Sequence, residues 1–336
     1  MLAAVVEQPG KLAVKDVPMP EMTPDHVLVR VQAASICNAT DNHILHGVFD
    51  GYHDYYPQIL GHEVCGEVVE TGARVTQLKV GQRIVMYTPK GSFCEYIAFA
   101  PKDMTYGVVA DHVPSRVATC CEMFDGAYIS LVYPARIARD EHVLVVGTGP
   151  MGLTAIACAR QYAKTVSAVD LSSFRLSKAR EMGADFTYNH SAMTQDEIIA
   201  QIMANTGPVD VLLMCIAEDR SEALDAYDLG VRALREKGRM TSLVVAVKNV
   251  GRRYRVNPFP IVEKNIKFRH FLNPNEIPRQ DIFQRAVDFV ADGKIDLSKL
   301  ITHEVCLDEA EATLKLCDER LDEVIKVVVY PRLSGK

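Results

Sequence analysis

Over about the first hundred residues, apolar and polar positions alternate over short stretches. Val27-Leu28-Val29-Arg30-Val31 is one such run and Gly66 to Val69 another. Turn signals at Pro18-Met19-Pro20, Thr71-Gly72 and Val80-Gly81-Gln82 separate them. This pattern predicts a strand-rich, irregular domain. After about residue 135 the pattern changes. His142-Val143-Leu144-Val145-Val146 is a continuous apolar run, as expected of a strand buried on both faces. A glycine turn follows, and the stretch from Leu153 to Tyr162, apolar nearly throughout, predicts a buried helix. Val166-Ser167-Ala168-Val169 ends at Asp170, and Ser173 to Met182 predicts a second helix, with Gly183 placed to cap its carboxyl end. Residues 209–215 and 239–245 predict further buried strands. Alternation of this kind argues for an α/β chain with a parallel doubly wound sheet. The last segment predicts a helix from Asp281 to Asp292, a turn at Gly293 and short strands to the end.

Composition narrows the class without choosing within it. A chain of 336 residues suggests about two domains. A formal charge of −6 argues against a broad nucleic-acid surface, which would want a basic stripe. The longest apolar runs are strand-sized, short of the ~20 residues of a membrane span. Met1-Leu2-Ala3-Ala4-Val5-Val6-Glu7 lacks the basic region and cleavage site of a secretory signal. Nine cysteines, an odd number scattered over a long chain, fit reduced thiols rather than a disulfide framework. The expectation is a cytoplasmic protein with no nucleic-acid or membrane partner.

The candidate chemistry starts with Gly147-Thr148-Gly149-Pro150-Met151-Gly152. Glycine triplets arise by chance, but this one follows an apolar strand and opens a helix, which is the context of a dinucleotide-binding turn. The first glycine permits the turn, the second lets the backbone approach a pyrophosphate, and the third lets helix and strand pack closely. The helix N-terminus offers N–H groups to the phosphates. Asp170 ends the next strand, where a carboxylate binds the ribose 2′-hydroxyl and repels a 2′-phosphate, so NAD is expected over NADP. Arg175 lies five residues on and could stack on adenine. The end of the 239–245 run, Leu243-Val244-Val245, is counted with Gly147, Gly149, Pro150, Met151, Gly152, Asp170 and Arg175 among the cofactor-binding residues. Upstream, Cys37 and the Gly61-His62-Glu63-Val64-Cys65-Gly66 frame offer a thiol and an imidazole, the donors of a soft metal such as zinc.

Cys37, Gly61-His62-Glu63 and the glycine turn together resemble the zinc-dependent medium-chain dehydrogenases, the alcohol, polyol and threonine dehydrogenase group, nearly from end to end. The resemblance implies a GroES-like catalytic domain over residues 1–135. It implies a Rossmann dinucleotide-binding domain over 136–272 and a return segment over 273–336 that completes the first. It implies one catalytic zinc on Cys37, His62 and a third donor from Cys120-Cys121-Glu122. Glu122 is the expected ligand and Cys121 its competitor. Glu63 would stand beside the metal in an outer position. The family usually has Cys-Gly-Ser/Thr-Asp, whereas Cys37-Asn38-Ala39-Thr40-Asp41 is one residue longer. Read as a one-residue insertion, this keeps Thr40 as the hydroxyl that takes the substrate proton. Asp41 would then orient His62, and His43 would relay the proton to water. Read without a gap, Ala39 takes the hydroxyl position and the relay fails. The stretch Arg83 to Lys90, before Gly91-Ser92-Phe93-Cys94, is too short for the four-cysteine structural zinc lobe of many relatives. Tyr52, His53, Tyr55 and Tyr56 form a polar-aromatic stretch that could line a hydroxylated substrate's pocket. The implied activity is NAD-linked oxidation of a secondary alcohol of polyol, sugar or hydroxy-amino-acid type, by a homodimer or homotetramer paired through the edge Asn265-Ile266-Lys267-Phe268-Arg269-His270. The rivals are a zinc-free NADPH reductase of enones or quinones on the same fold, and a non-catalytic binding protein that kept it.

Overall fold

A computed structural model of the chain describes residues 1–48, 56–88, 91–216, 223–243, 258–270, 279–319 and 323–331. It divides into two compact units, Met1–Glu122 with Pro278–Lys336, and Met123–Ile277.

In the first unit the short alternating runs become two antiparallel-rich sheets. Leu2–Gln8 pairs with Lys11–Asp16 and with Gln58–Ile59. A seven-stranded sheet is built around Val27–Ser35 and Glu63–Thr71. The return segment adds Ile301–Cys306 and Lys326–Tyr330 at one side. Alternate residues of these strands, among them Val27, Val29, Val64, Val68, Ile84 and Met86, pack into one apolar core. Fully burying each such side chain contributes about 1.5–3 kcal/mol. At the far edge of the sheet Tyr106–Val108 would expose unpaired backbone groups, a template for association. Gln280 and Gln284, one turn apart on the helix Arg279–Ala291, take both groups of Tyr106 and both of Val108 in hydrogen bonds of 2.6–3.2 Å. This is the helix that residues 281–292 led us to expect, displaced by one or two residues.

The second unit is a six-stranded, all-parallel sheet. Its order is Phe186–Asn189, Thr165–Asp170, His142–Val146, Val209–Met214, Leu234–Ser242, Lys267–His270. That is the doubly wound Rossmann order, reversing direction at the strand that runs into the glycine turn. The predicted strand at 239–245 starts earlier, at Leu234. The pairing jumps from Val209↔Leu234 to Val211↔Arg239, so residues 235–238 bulge, with Lys237 at φ +58°. Charged residues on a bulge hide the strand from a periodicity reading. Gly183 takes φ +108° after the helix Ser173–Glu181, the left-handed cap its position suggested. No helix among the described residues is long and apolar enough to cross a membrane.

Candidate metal and cofactor sites

The Gly-His-Glu frame is held by sterics that leave no choice at its glycines. Gly61 has φ +88°, and a Cβ there would lie 2.4 Å from Ser92 Oγ and 2.6 Å from the Phe93 ring. A Cβ at Gly66 would lie 2.5 Å from the Arg30 carbonyl oxygen on the neighbouring strand. Between them the chain enters the strand Glu63–Thr71, whose first residue pairs with Ser35, the last of Val27–Ser35. Two strands thus end together, and the residues just outside them meet. Ligand atoms of Cys37, His62 and Glu63 all lie within 4.8 Å of one another, with His62 and Glu63 buried.

Asp41 ties this cluster together from the short helix Thr40–Leu45. One carboxylate oxygen accepts from His62 Nδ1 at 3.0 Å and the other from the Cys37 backbone N–H at 2.9 Å, with Asp41 fully buried. That fixes the proton on Nδ1 and turns Nε2 toward the cluster, the arrangement by which an outer carboxylate orients a histidine ligand. Burial works against a charged His62, but the Asp41 carboxylate and the Cys37 side chain more than offset it and push its pKa up. The same electron-rich ring suits a cation in place of a proton. The ring also lies against Tyr87, with centroids 5.4 Å apart.

The carboxylates fall in unexpected places. Glu63, assigned an outer position above, is a member of the cluster, and Glu122 is not. Glu122 stands close enough for its carboxyl pKa to be raised by burial and then by the charge of Glu63, while His62, Lys326 and Arg279 oppose the rise. Cys121 is buried and is likewise outside the cluster. Thr40 and His43 lie one turn apart on the same helix. The only other group of close donors among the described residues is Cys306, Asp308 and Glu309. There Glu309 accepts from the Cys306 backbone N–H at 2.9 Å, which accounts for the grouping as a helix cap. Sequence reasoning missed Lys326. Its Nζ pairs with Glu63 Oε2 and donates to the Ile36 carbonyl at 2.9 Å. The visible signal was a lysine interrupting the run Val324-Ile325-Lys326-Val327-Val328-Val329. Tyr52, His53 and Tyr55 lie outside the described residues, and the Tyr56 hydroxyl donates to the Ile44 carbonyl.

In the second unit the glycines divide by role. Gly147 has φ +91° and a Cβ there would lie 2.7 Å from Ile216, while a Cβ at Gly152 would lie 1.8 Å from the Gly147 carbonyl oxygen. At Gly149, the N-cap of the helix Pro150–Ala159, a Cβ would meet nothing within 4 Å. Pro150 begins that helix and Met151 follows in its first turn. The Asp170 carboxylate accepts from the Thr148 N–H at 2.6 Å and the Ser172 N–H at 2.9 Å, which fixes it at the strand end beside the glycine turn. Ser172 caps the next helix through the Arg175 N–H, and Arg175 Nε is buried with no hydrogen-bond partner among the described residues. Leu243 is buried at the end of its strand, and Val244 and Val245 lie outside the described residues.

Comparison with known proteins agrees with this division of labour. Residues 23–128 match the alcohol dehydrogenase GroES-like domain, and residues 150–292 match the zinc-binding dehydrogenase model. The chain is 26% identical to a sorbitol dehydrogenase of Bacillus subtilis, covering 98% of this chain and 97% of that one. It is 28% identical to a sorbitol dehydrogenase of Gallus gallus, covering 92% and 91%. A solved structure described as a zinc-binding dehydrogenase of Sinorhizobium meliloti 1021, bound to NADP, superposes with a TM-score of 0.83 at 26% identity over 98% of this chain and 99% of that one. The first match covers Cys37, His62 and Glu63, and the second begins within the glycine turn, at Pro150. The chain therefore belongs to the zinc-type medium-chain dehydrogenase family, as an NAD(P)-linked alcohol dehydrogenase.

Proposed function

We propose that this enzyme oxidises a secondary alcohol of the polyol class with NAD, with zinc held by Cys37, His62 and Glu63. The convergence of those three side chains within 4.8 Å carries the reading. Thiolate, imidazole and carboxylate are the donors zinc takes, and three protein donors leave the position a catalytic site keeps open. When bound, zinc supplies Lewis acidity that lowers the pKa of an alcohol hydroxyl, and the nicotinamide supplies a hydride acceptor.

The protein's own residues do the remaining work. Asp41 holds His62 in one tautomer and the Cys37 backbone in one place. Thr40 Oγ1 takes the proton that the substrate hydroxyl gives up, and the His43 ring, one turn on along the same helix, passes it to water. A helix N-terminus and the open space at Gly149 receive the pyrophosphate. Asp170 is placed for the adenosine ribose, and its charge favours NAD. The polyol class is supported by the sorbitol dehydrogenases among the relatives and by the carboxylate donor, which suits a harder site than a second thiolate would.

Zinc analysis of purified protein tests the ligand set. One zinc per chain is expected, with most of it lost in Cys37→Ser, His62→Ala and Glu63→Gln and retained in Glu122→Gln. Loss in Glu122→Gln with retention in Glu63→Gln would reverse the assignment. A panel of polyols, sugar alcohols and 3-hydroxy acids with NAD tests the substrate class. An active protein without zinc that reduces enones with NADPH would overturn the whole reading.

A further inference from the structure

Lys326 is the charged residue at the start of an apolar strand, only 1% exposed, and Glu63 beside it is 0% exposed. Moving an ammonium out of water is expensive, and an ion pair in the interior is not by itself a gain in stability over well-packed apolar residues. A lysine kept there calls for another reason. The sheet register supplies its location. Val328 pairs with Ser35 in antiparallel fashion, so the same register continued by two residues brings Lys326 level with Cys37.

The two oxygens of Glu63 live in different surroundings. Oε2 accepts from both the Ser35 hydroxyl and the Lys326 ammonium. Oε1 is buried and has no hydrogen-bond partner among the described residues. A carboxylate left free gives a cation one oxygen or both. Both would fill the position that a catalytic zinc must keep for its substrate.

We infer that Lys326 is a positioning residue which, together with Ser35, occupies Glu63 Oε2 and so holds Glu63 to a single donor oxygen. The inference rests on the ligand set proposed above. It sets the sign of an effect that a merely structural lysine would reverse. Removing Lys326 takes a positive charge away from the metal position and frees a second donor oxygen. Both changes make the site hold its metal more tightly while leaving less room for an alcohol. A lysine that only props the fold would, on removal, loosen the site and speed metal loss.

The experiment compares wild type, Lys326→Met, Lys326→Arg and Ser35→Ala as full-length proteins loaded with zinc or with cobalt(II). Release of zinc to excess chelator is timed, and the visible spectrum of the cobalt protein reports coordination number through its intensity. In Lys326→Met we expect release slower by about tenfold, the scale on which outer partners of metal ligands act. We also expect a weaker cobalt spectrum and a fall in kcat. Lys326→Arg restores the wild-type release rate. Faster zinc release from folded Lys326→Met, or a cobalt spectrum equal to that of wild type, overturns the inference. If Lys326→Met does not fold, Ser35→Ala decides. It frees the same oxygen from one of its two donors, so an unchanged cobalt spectrum there overturns the inference and a weakened one supports it. Glu63→Gln keeps the two failures apart. If it retains zinc, the ligand set falls and the inference with it. If it loses zinc while Lys326→Met behaves as wild type, only the role of Lys326 falls.

Discussion

Replacing Gly149 and Gly152 separately by alanine divides the glycine turn into a part the fold needs and a part the cofactor needs. At Gly152 the new methyl would stand 1.8 Å from the Gly147 carbonyl oxygen and 2.9 Å from its carbon, against 3.4–4 Å for ordinary contact. Both atoms are backbone, so no side chain can swing aside. Either the strand–turn–helix junction opens or the turn distorts. Overpacking of this kind costs about 1–3 kcal/mol, and with only backbone to yield the upper figure applies. Each kcal/mol corresponds to about 2–4 °C in a chain of ordinary domain size, so Gly152→Ala should melt roughly 6–12 °C lower. Gly149 differs in both respects. Its φ is −67°, which any residue adopts, and nothing lies within 4 Å of the added carbon. The only folding cost is the poorer standing of alanine as a helix N-cap, under about 1 kcal/mol. The open space is where a pyrophosphate must approach the backbone. A methyl there should weaken cofactor binding by about 10–100-fold, equivalent to roughly 1.4–2.8 kcal/mol. Thermal melts without cofactor and fluorescence titration with NADH measure the two effects independently. An equal fall in Tm for both variants would refute the reasoning, as would wild-type NADH affinity in Gly149→Ala.

Three further outcomes are expected. The enzyme should prefer NAD to NADP in kcat/KM, and Asp170→Ala should narrow the preference while also loosening the turn, since the Thr148 and Ser172 amides lose their acceptor; equal kcat/KM for the two cofactors in the unmutated enzyme would refute this. The chain should form a homodimer or a tetramer of dimers through the edge strand Lys267–His270, where Phe268 is 57% exposed; light scattering that gives the 37.2 kDa of one chain would count against it. Burial pushes the Cys94 and Cys120 thiols up to about 12, so at pH 8 both stay protonated and should resist a thiol reagent until denaturant is added, whereas half-exposed Cys306 reacts in the native state; modification of Cys120 before unfolding would contradict the packing around it.

Much of the second unit was legible in the sequence because its determinants are local. An apolar run, a glycine turn and an apolar helix lie within twenty-odd consecutive residues, and two of the three glycines answer to a clash or a positive φ, the third to open space at the helix start. The position of Asp170 was legible for the same reason, since it is the last residue of its strand. The first unit was harder. Its strands are short, and the helix Thr40–Leu45 carries no capping side chain that would announce it.

For the thiol–imidazole–carboxylate cluster the sequence by itself offered Cys37 and the Gly61-His62-Glu63 frame as donors, while the clashes that require glycine at 61 and 66 come from residues 92, 93 and 30, far off along the chain. It did not determine which glutamate joins them. Distance along the chain is a poor guide where antiparallel strands bring together residues far apart in sequence: Glu63 opens a strand beside Ser35, whereas Glu122 sits in the first turn of the helix Cys121–Val132. Only the tertiary structure decided that Ser35, Glu63 and Lys326 converge. It did so through two backbone registers, Ser35↔Glu63 and Val328↔Ser35, the second joining strands nearly three hundred residues apart. A buried lysine reads in the sequence as a break in an apolar run. Folded, it is the counter-charge without which a buried carboxylate would have no partner for either oxygen but a serine.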